Sequence, residues 1–160
     1  MKQEALAKLA TSRRASERLR SLRLMREQIE SGGRPEDYVE LARPLIEDAD
    51  NDCRWQALIV VGESVETNPE AVWQVVCEHG VSDDEDMRMG VATVLLEHLL
   101  EHHFDAYLPR LKQRIEAGSV LLADTLARCW AFGQAETRWA DVEALVEPAR
   151  PVGAGPVERP

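Results

Sequence analysis

His98, Glu101 and His102 are the residues of this chain best spaced for chemistry. The segment Glu97-His98-Leu99-Leu100-Glu101-His102-His103 contains His98-x-x-Glu101-His102, and histidines four apart fall one turn apart on one face of a helix. Two imidazoles so placed reach a single Zn²⁺, with the glutamate as base and a third ligand drawn from elsewhere. The same segment also has a plainer chemistry, because histidines near a helix end complement its carbonyl dipole. Residue types this common match the spacing by coincidence in many chains. No resident metal or cofactor is therefore expected, and His98, His102 and His103 are expected to take up metal only adventitiously. Nucleophilic catalysis has no foothold, since Ser64, Ser82 and Ser119 lack a Gly-x-Ser-x-Gly setting. Gly32-Gly33 follows a helical stretch and precedes Arg34-Pro35, which is not a phosphate loop.

A row of carboxylates is the second pattern. Gln56 and Glu63 fall on one face of a helix expected over 52–66, opposite Leu58, Val61 and Val65. The equivalent positions on a helix over 86–103 are Gly90 and Glu97, with Glu101 one turn on. Asp124 and Arg128 occupy the polar side of a later helix, away from Leu122, Leu126 and Cys129. A solvated surface is the ordinary fate of such a row. A groove lined by it would select cations: an Arg/Lys-rich peptide, a basic protein face or a polyamine.

The elements that position these side chains follow from periodicity. Residues 2–31 lack Gly and Pro, and Leu6, Leu9, Leu19, Leu22, Met25 and Ile29 make one apolar stripe on a long helix. Arg13, Arg14, Arg18, Arg20 and Arg26 face the other way, and a break is conceivable at Thr11-Ser12. Ser31-Gly32-Gly33-Arg34-Pro35 stops that helix. Further helices are expected over 36–46, 52–66, 70–79, 86–103, 105–117, 120–132 and 137–147, with Asp48–Asp52 and Ser82–Glu85 as capping turns. The window Asp52–Glu63 returns 34 residues later as Asp86–Glu97, sharing Asp, Arg, Val and Glu in register. A period of that length marks stacked helix pairs. Alternating strand patterns are absent, so the chain is expected to be all-α.

With Asp52-x-Arg54-x-x-Ala57 and Asp86-x-Arg88 each opening the second helix of a pair, residues 35–133 resemble the HEAT-repeat superfamily. That resemblance implies a right-handed α-α superhelix of about three pairs, the third lacking the Asp-x-Arg opening. It also implies that Asp52, Arg54, Asp86 and Arg88 bridge neighbouring repeats and that the second helices line a concave face. Segment 1–34 is then an N-terminal basic cap, 35–147 the helical repeats, and 148–160 a mobile tail with four prolines and two glycines. HEAT arrays act mostly as scaffolds, although one bacterial group of similar fold excises alkylated bases from DNA.

Charge separates these options. The net charge of −10 divides into +5 over residues 1–35 and −15 over the rest, and a body this acidic repels phosphate. Nucleic-acid contact is left only to the arginines of residues 1–31. No apolar run approaches the roughly 20 residues that span a bilayer, and no signal-peptide core precedes the first helix. Cys53, Cys77 and Cys129 are dispersed, as small buried hydrophobes are in a reducing compartment. The expectation is a cytoplasmic, non-enzymatic scaffold that binds a protein or basic peptide through Trp55, Glu63, Glu97, Glu101 and Asp124. The alternatives are a glycosylase-like or metal-dependent enzyme on the same fold, and nucleic-acid contact through the first helix.

Overall fold

The computed structural model describes residues 3–147, whose regular elements are all helices, with no strand among them. The expected tail at 148–160 lies outside the described residues. In place of one helix over 2–31 there are two, α1 (Gln3–Ala10) and α2 (Ala15–Glu30). The break falls where Thr11 and Ser12 turn their hydroxyls back on the chain. Thr11 Oγ1 donates to the Ala7 carbonyl at 3.0 Å, and Ser12 Oγ accepts the Arg14 N–H at 3.2 Å. The two helices then pack together, with the fully buried Ser21 donating to the Leu6 carbonyl at 2.8 Å.

The expected helix over 36–46 is also interrupted. It consists of a 3₁₀ turn at Pro35–Asp37, a short α3 (Val39–Ala42) and a second 3₁₀ stretch over Arg43–Glu47. Pro44 has no N–H to continue an α-helical ladder, so the chain tightens there. Next come α4 (Asn51–Gly62) and α5 (Pro69–His79), capped by the side chains of Asp50 and Asn68. After these, α6 (Glu85–Gly90) is capped by Asp84 and runs on through a π-helical segment, Val91–Leu96, into α7 (Glu97–Glu116). α7 breaks at His103, whose φ of −136° and ψ of 37° are not helical. α8 (Val120–Leu126) ends six residues short of the expected Phe132. An irregular loop leads to a 3₁₀ turn at Gly133–Arg138 and to α9 (Trp139–Val146).

Successive second helices pack side by side, α2 on α4 and α4 on the α6–π rod. Their seams are closed by apolar side chains that are fully buried, among them Leu22, Met25, Leu58 and Leu95. Two glycines set how close the rods come. A Cβ on Gly90 would lie 2.6 Å from Leu58 Cδ1, and one on Gly62 would lie 3.0 Å from the Val94 carbonyl oxygen.

An arginine marks each of these second helices. Arg18 grips Asp48 with both arms of its guanidinium (Nη2–Oδ1 2.7 Å) and donates to the Ser12 carbonyl at 2.9 Å. Arg54 pairs with Asp84 at 2.9 Å. Arg88 pairs with Asp124 at 3.0 Å and donates to the Ser82 carbonyl at 2.6 Å. Arg18 and Arg88 each reach the carbonyl six residues back, and Arg54 stands at the same offset from Asp48. The arginine contact expected at Arg54 and Arg88 therefore has a counterpart on α2. Of the four residues expected to bridge repeats, Arg54, Asp86 and Arg88 do so. Asp52 instead stays exposed in the first turn of α4, and Asp84 takes its place opposite Arg54.

A candidate partner-binding groove

A concavity of about 400 Å³ lies between α4 and the rod formed by the π segment and α7. Its floor is apolar (Ile59, Val65, Val94) and its walls carry Glu63, Glu66, Thr93, His98 and His102. Local structure explains each position. Gly62 lets the end of α4 approach the Val94 backbone, so the groove narrows there to van der Waals contact. The chain then turns at 63–67, where buried Ser64 donates to the Val61 carbonyl at 2.7 Å and Asn68 N–H donates to the Ser64 carbonyl at 2.7 Å. Val65 is tied across to α7, with its carbonyl oxygen 2.9 Å from His103 Nε2.

The electrostatics of this groove are one-sided. Glu63 caps the C-terminal end of α4 and Glu66 follows in the turn. Two carboxylates therefore sit where the helix already presents the negative end of its dipole. Among the described residues neither a lysine nor an arginine lines the groove. On the opposite wall stand His98 and His102, whose Nδ1 and Nε2 lie 2.9 Å and 3.7 Å from Glu101 Oε2. Negative potential concentrated beside an apolar floor favours a ligand that is cationic at one end and apolar along its stem.

Glu97 does not join this surface, although it is the repeat partner of Glu63. Its N–H donates to the Ala92 carbonyl, five residues back, as the π winding requires. One extra residue in a helical turn rotates everything after it by about 100°. Glu97 is consequently buried, 6% exposed, and its carboxylate accepts the Trp130 N–H at 2.9 Å. Burial raises its pKa to about 6, against the lowering effect of the Trp130 N–H. The same burial pushes the neighbouring Cys129 thiol well up, with the Glu97 charge adding to it, so that cysteine is unreactive packing.

Two more clips hold the 127–134 loop against α7. The Gln134 amide spans the break at His103, donating to the His102 carbonyl at 2.7 Å and accepting the Phe104 N–H at 3.1 Å. Gly133, at φ +49°, brings its backbone against Glu101, where a Cβ would meet Cγ at 2.7 Å. This loop leaves Trp130 and Phe132 partly exposed, at 41% and 43%.

The residues expected to bind a partner thus separate. Glu63 lines the groove, while Glu101 is not among its lining residues and touches it only through His98 and His102. Trp55 lies over Gly90 and donates its indole N–H to Asp86 at 3.1 Å. Asp124 is committed to Arg88 and Arg128. His98 and His102 line the groove while His103 is turned to Val65. Sequence reasoning did not single out Glu66, Ile59, Val94 or Gln134. Ile59 stands one turn before Glu63 and was within reach of a face argument, but Glu66 belongs to a turn whose direction no periodicity reveals.

Among the described residues no helix is long and apolar enough to cross a membrane. No family model, curated protein or solved structure matches this chain.

Proposed function

We propose that this chain is a cytoplasmic, non-catalytic helical-repeat module of HEAT-like build, and that it binds an Arg- or Lys-rich segment of a protein partner in the groove between α4 and α7. The observation that carries this reading is the lining of the groove: Glu63 and Glu66 over an apolar floor, with no lysine or arginine among its described lining residues. Stacked pairs that share one core and repeat an arginine at Arg18, Arg54 and Arg88 support the solenoid part of the reading. The arginines of the first two helices are a weaker candidate for the ligand. Arg18 is occupied by Asp48, Arg14 pairs with Glu17, and Arg26 pairs with Glu30.

Affinity capture from the native cell, comparing the wild-type chain with a Glu63→Lys/Glu66→Lys variant, tests the reading. Partners held through a basic segment are expected on the wild type and lost from the variant. Partners retained equally by both proteins, or retained only while residues 1–31 are present and nucleic acid is not digested, count against it.

A further inference from the structure

The sequence places three histidines in a row, and the structure sorts them. His103 is drawn into the break of α7, its Nε2 2.9 Å from the Val65 carbonyl oxygen. His98 and His102 remain on the groove wall, with side chains 48% and 34% exposed. Glu101 stands between them, its Oε2 2.9 Å from His98 Nδ1 and 3.7 Å from His102 Nε2. One donor atom from each of the three lies within 4.8 Å of the other two. Side-chain rotations alone bring such a set to the roughly 2.0–2.2 Å that a zinc-class ion requires of nitrogen and carboxylate oxygen.

We infer that His98, Glu101 and His102 form a binding site for one divalent transition-metal ion of the Zn²⁺ class, opening into the groove. Two imidazoles and one carboxylate are the donor set that such ions prefer over Mg²⁺ or Ca²⁺, which take oxygen ligands. The helix supplies the preorganisation. The two histidines are held one turn apart on its face, and the Gln134 amide and the Val65–His103 contact brace the turn immediately after them. Three protein ligands leave at least one coordination position free, and it faces the groove that Glu63 and Glu66 share. The surrounding carboxylates also lower the cost of gathering positive charge there. The inference stands independently of any partner, since the ion needs only the chain's own residues.

The test uses the full chain, purified without a histidine tag and stripped of metal. It is titrated with Co²⁺ followed by absorption, then with Zn²⁺ followed by calorimetry and by competition against bound Co²⁺. One equivalent is expected, with imidazole ring signals of His98 and His102 shifted in the NMR spectrum and those of His103 and His79 unmoved. His98→Ala and His102→Ala are each expected to weaken binding by at least about tenfold, while His103→Gln leaves it unchanged. Glu101→Gln separates a ligand from a bystander, and weakening there without loss of helical circular dichroism supports the three-residue set. Sub-stoichiometric uptake, or equal weakening by His103→Gln, would mean an adventitious ion only and would overturn the site. A wild-type chain that binds no metal but still binds a basic peptide refutes this inference and leaves the proposed function standing; one that binds metal but no peptide does the opposite.

Discussion

Replacing Glu97 by glutamine should stabilise this protein, and only at neutral pH and above. The Glu97 carboxylate is buried with a single hydrogen bond from the Trp130 N–H. Its pKa is raised to about 6 from 4.5, with burial the main cause. That rise corresponds to about 2 kcal/mol. The sign follows from which state holds the proton. Between the unfolded and folded values the native chain binds more protons than the unfolded one, so stability falls as pH rises through that window. The stabilising share is complete below about 4.5 and gone above about 6. At pH 8 the ionised group therefore opposes folding, whereas glutamine is neutral and keeps a carbonyl oxygen for the Trp130 N–H. We expect Tm of Glu97→Gln to exceed wild type at pH 8 by roughly 4–8 °C, given 2–4 °C per kcal/mol for chains of this size. At pH 4 the two melting temperatures should converge. Scanning calorimetry of both proteins across pH 4–8 measures this directly, since every other titrating group cancels in the difference. A constant gap at all pH values, or a destabilised variant at pH 8, would refute the reasoning. Glu97→Ala provides the contrast, because it leaves the Trp130 N–H without its acceptor and is expected to cost about 1–3 kcal/mol.

Other consequences are equally accessible. Asp48→Asn should destabilise the protein by about 3 kcal/mol in urea unfolding, because it leaves the Arg18 guanidinium, 16% exposed, without its anionic partner. The Arg18 hydrogen bonds hold the Asp48 pKa below its ordinary value. That stabilisation is present above pH 4 and lost below, and the variant should lack this acid-side dependence. Gln134→Ala should cost about 1–2 kcal/mol and sharply accelerate hydrogen exchange at the Phe104 amide, with little change at amides of α4. Charge reversal at Glu63 and Glu66 together should weaken binding of a basic peptide by roughly tenfold or more, and the effect should shrink as salt is raised.

Helix content and most helix starts were legible because the signals are local. Asp50, Asn68 and Asp84 cap where their side chains say they should, whereas Gly62 and Gly90 fall at different positions of the two windows and close the seam between α4 and the α6–π rod from opposite sides. The 34-residue spacing singled out Arg54 and Arg88, which pair with Asp84 and Asp124, but not Arg18, which pairs with Asp48. The site was half legible. Glu63, Glu101, His98 and His102 carry their chemistry in their types and their helical spacing. Glu97 shares both with Glu63 and is buried, because a π turn between Gly90 and Glu97 leaves no mark in the pattern of apolar residues. The expected 36–46 helix ran through Pro44, whose missing N–H interrupts it, and beyond the end of α8 at Leu126 the chain is held by long-range hydrogen bonds between Glu97 and Trp130 and between Gln134 and His102.

The central claim, a cation-selecting groove between α4 and α7, is tested most directly by NMR titration of the ¹⁵N-labelled chain with an oligo-arginine peptide. The account predicts saturable shifts confined to residues 59–66 and 93–102, matched by loss of those shifts in Glu63→Lys/Glu66→Lys. Shifts scattered over all acidic surfaces, or a response unchanged in the variant, would contradict it.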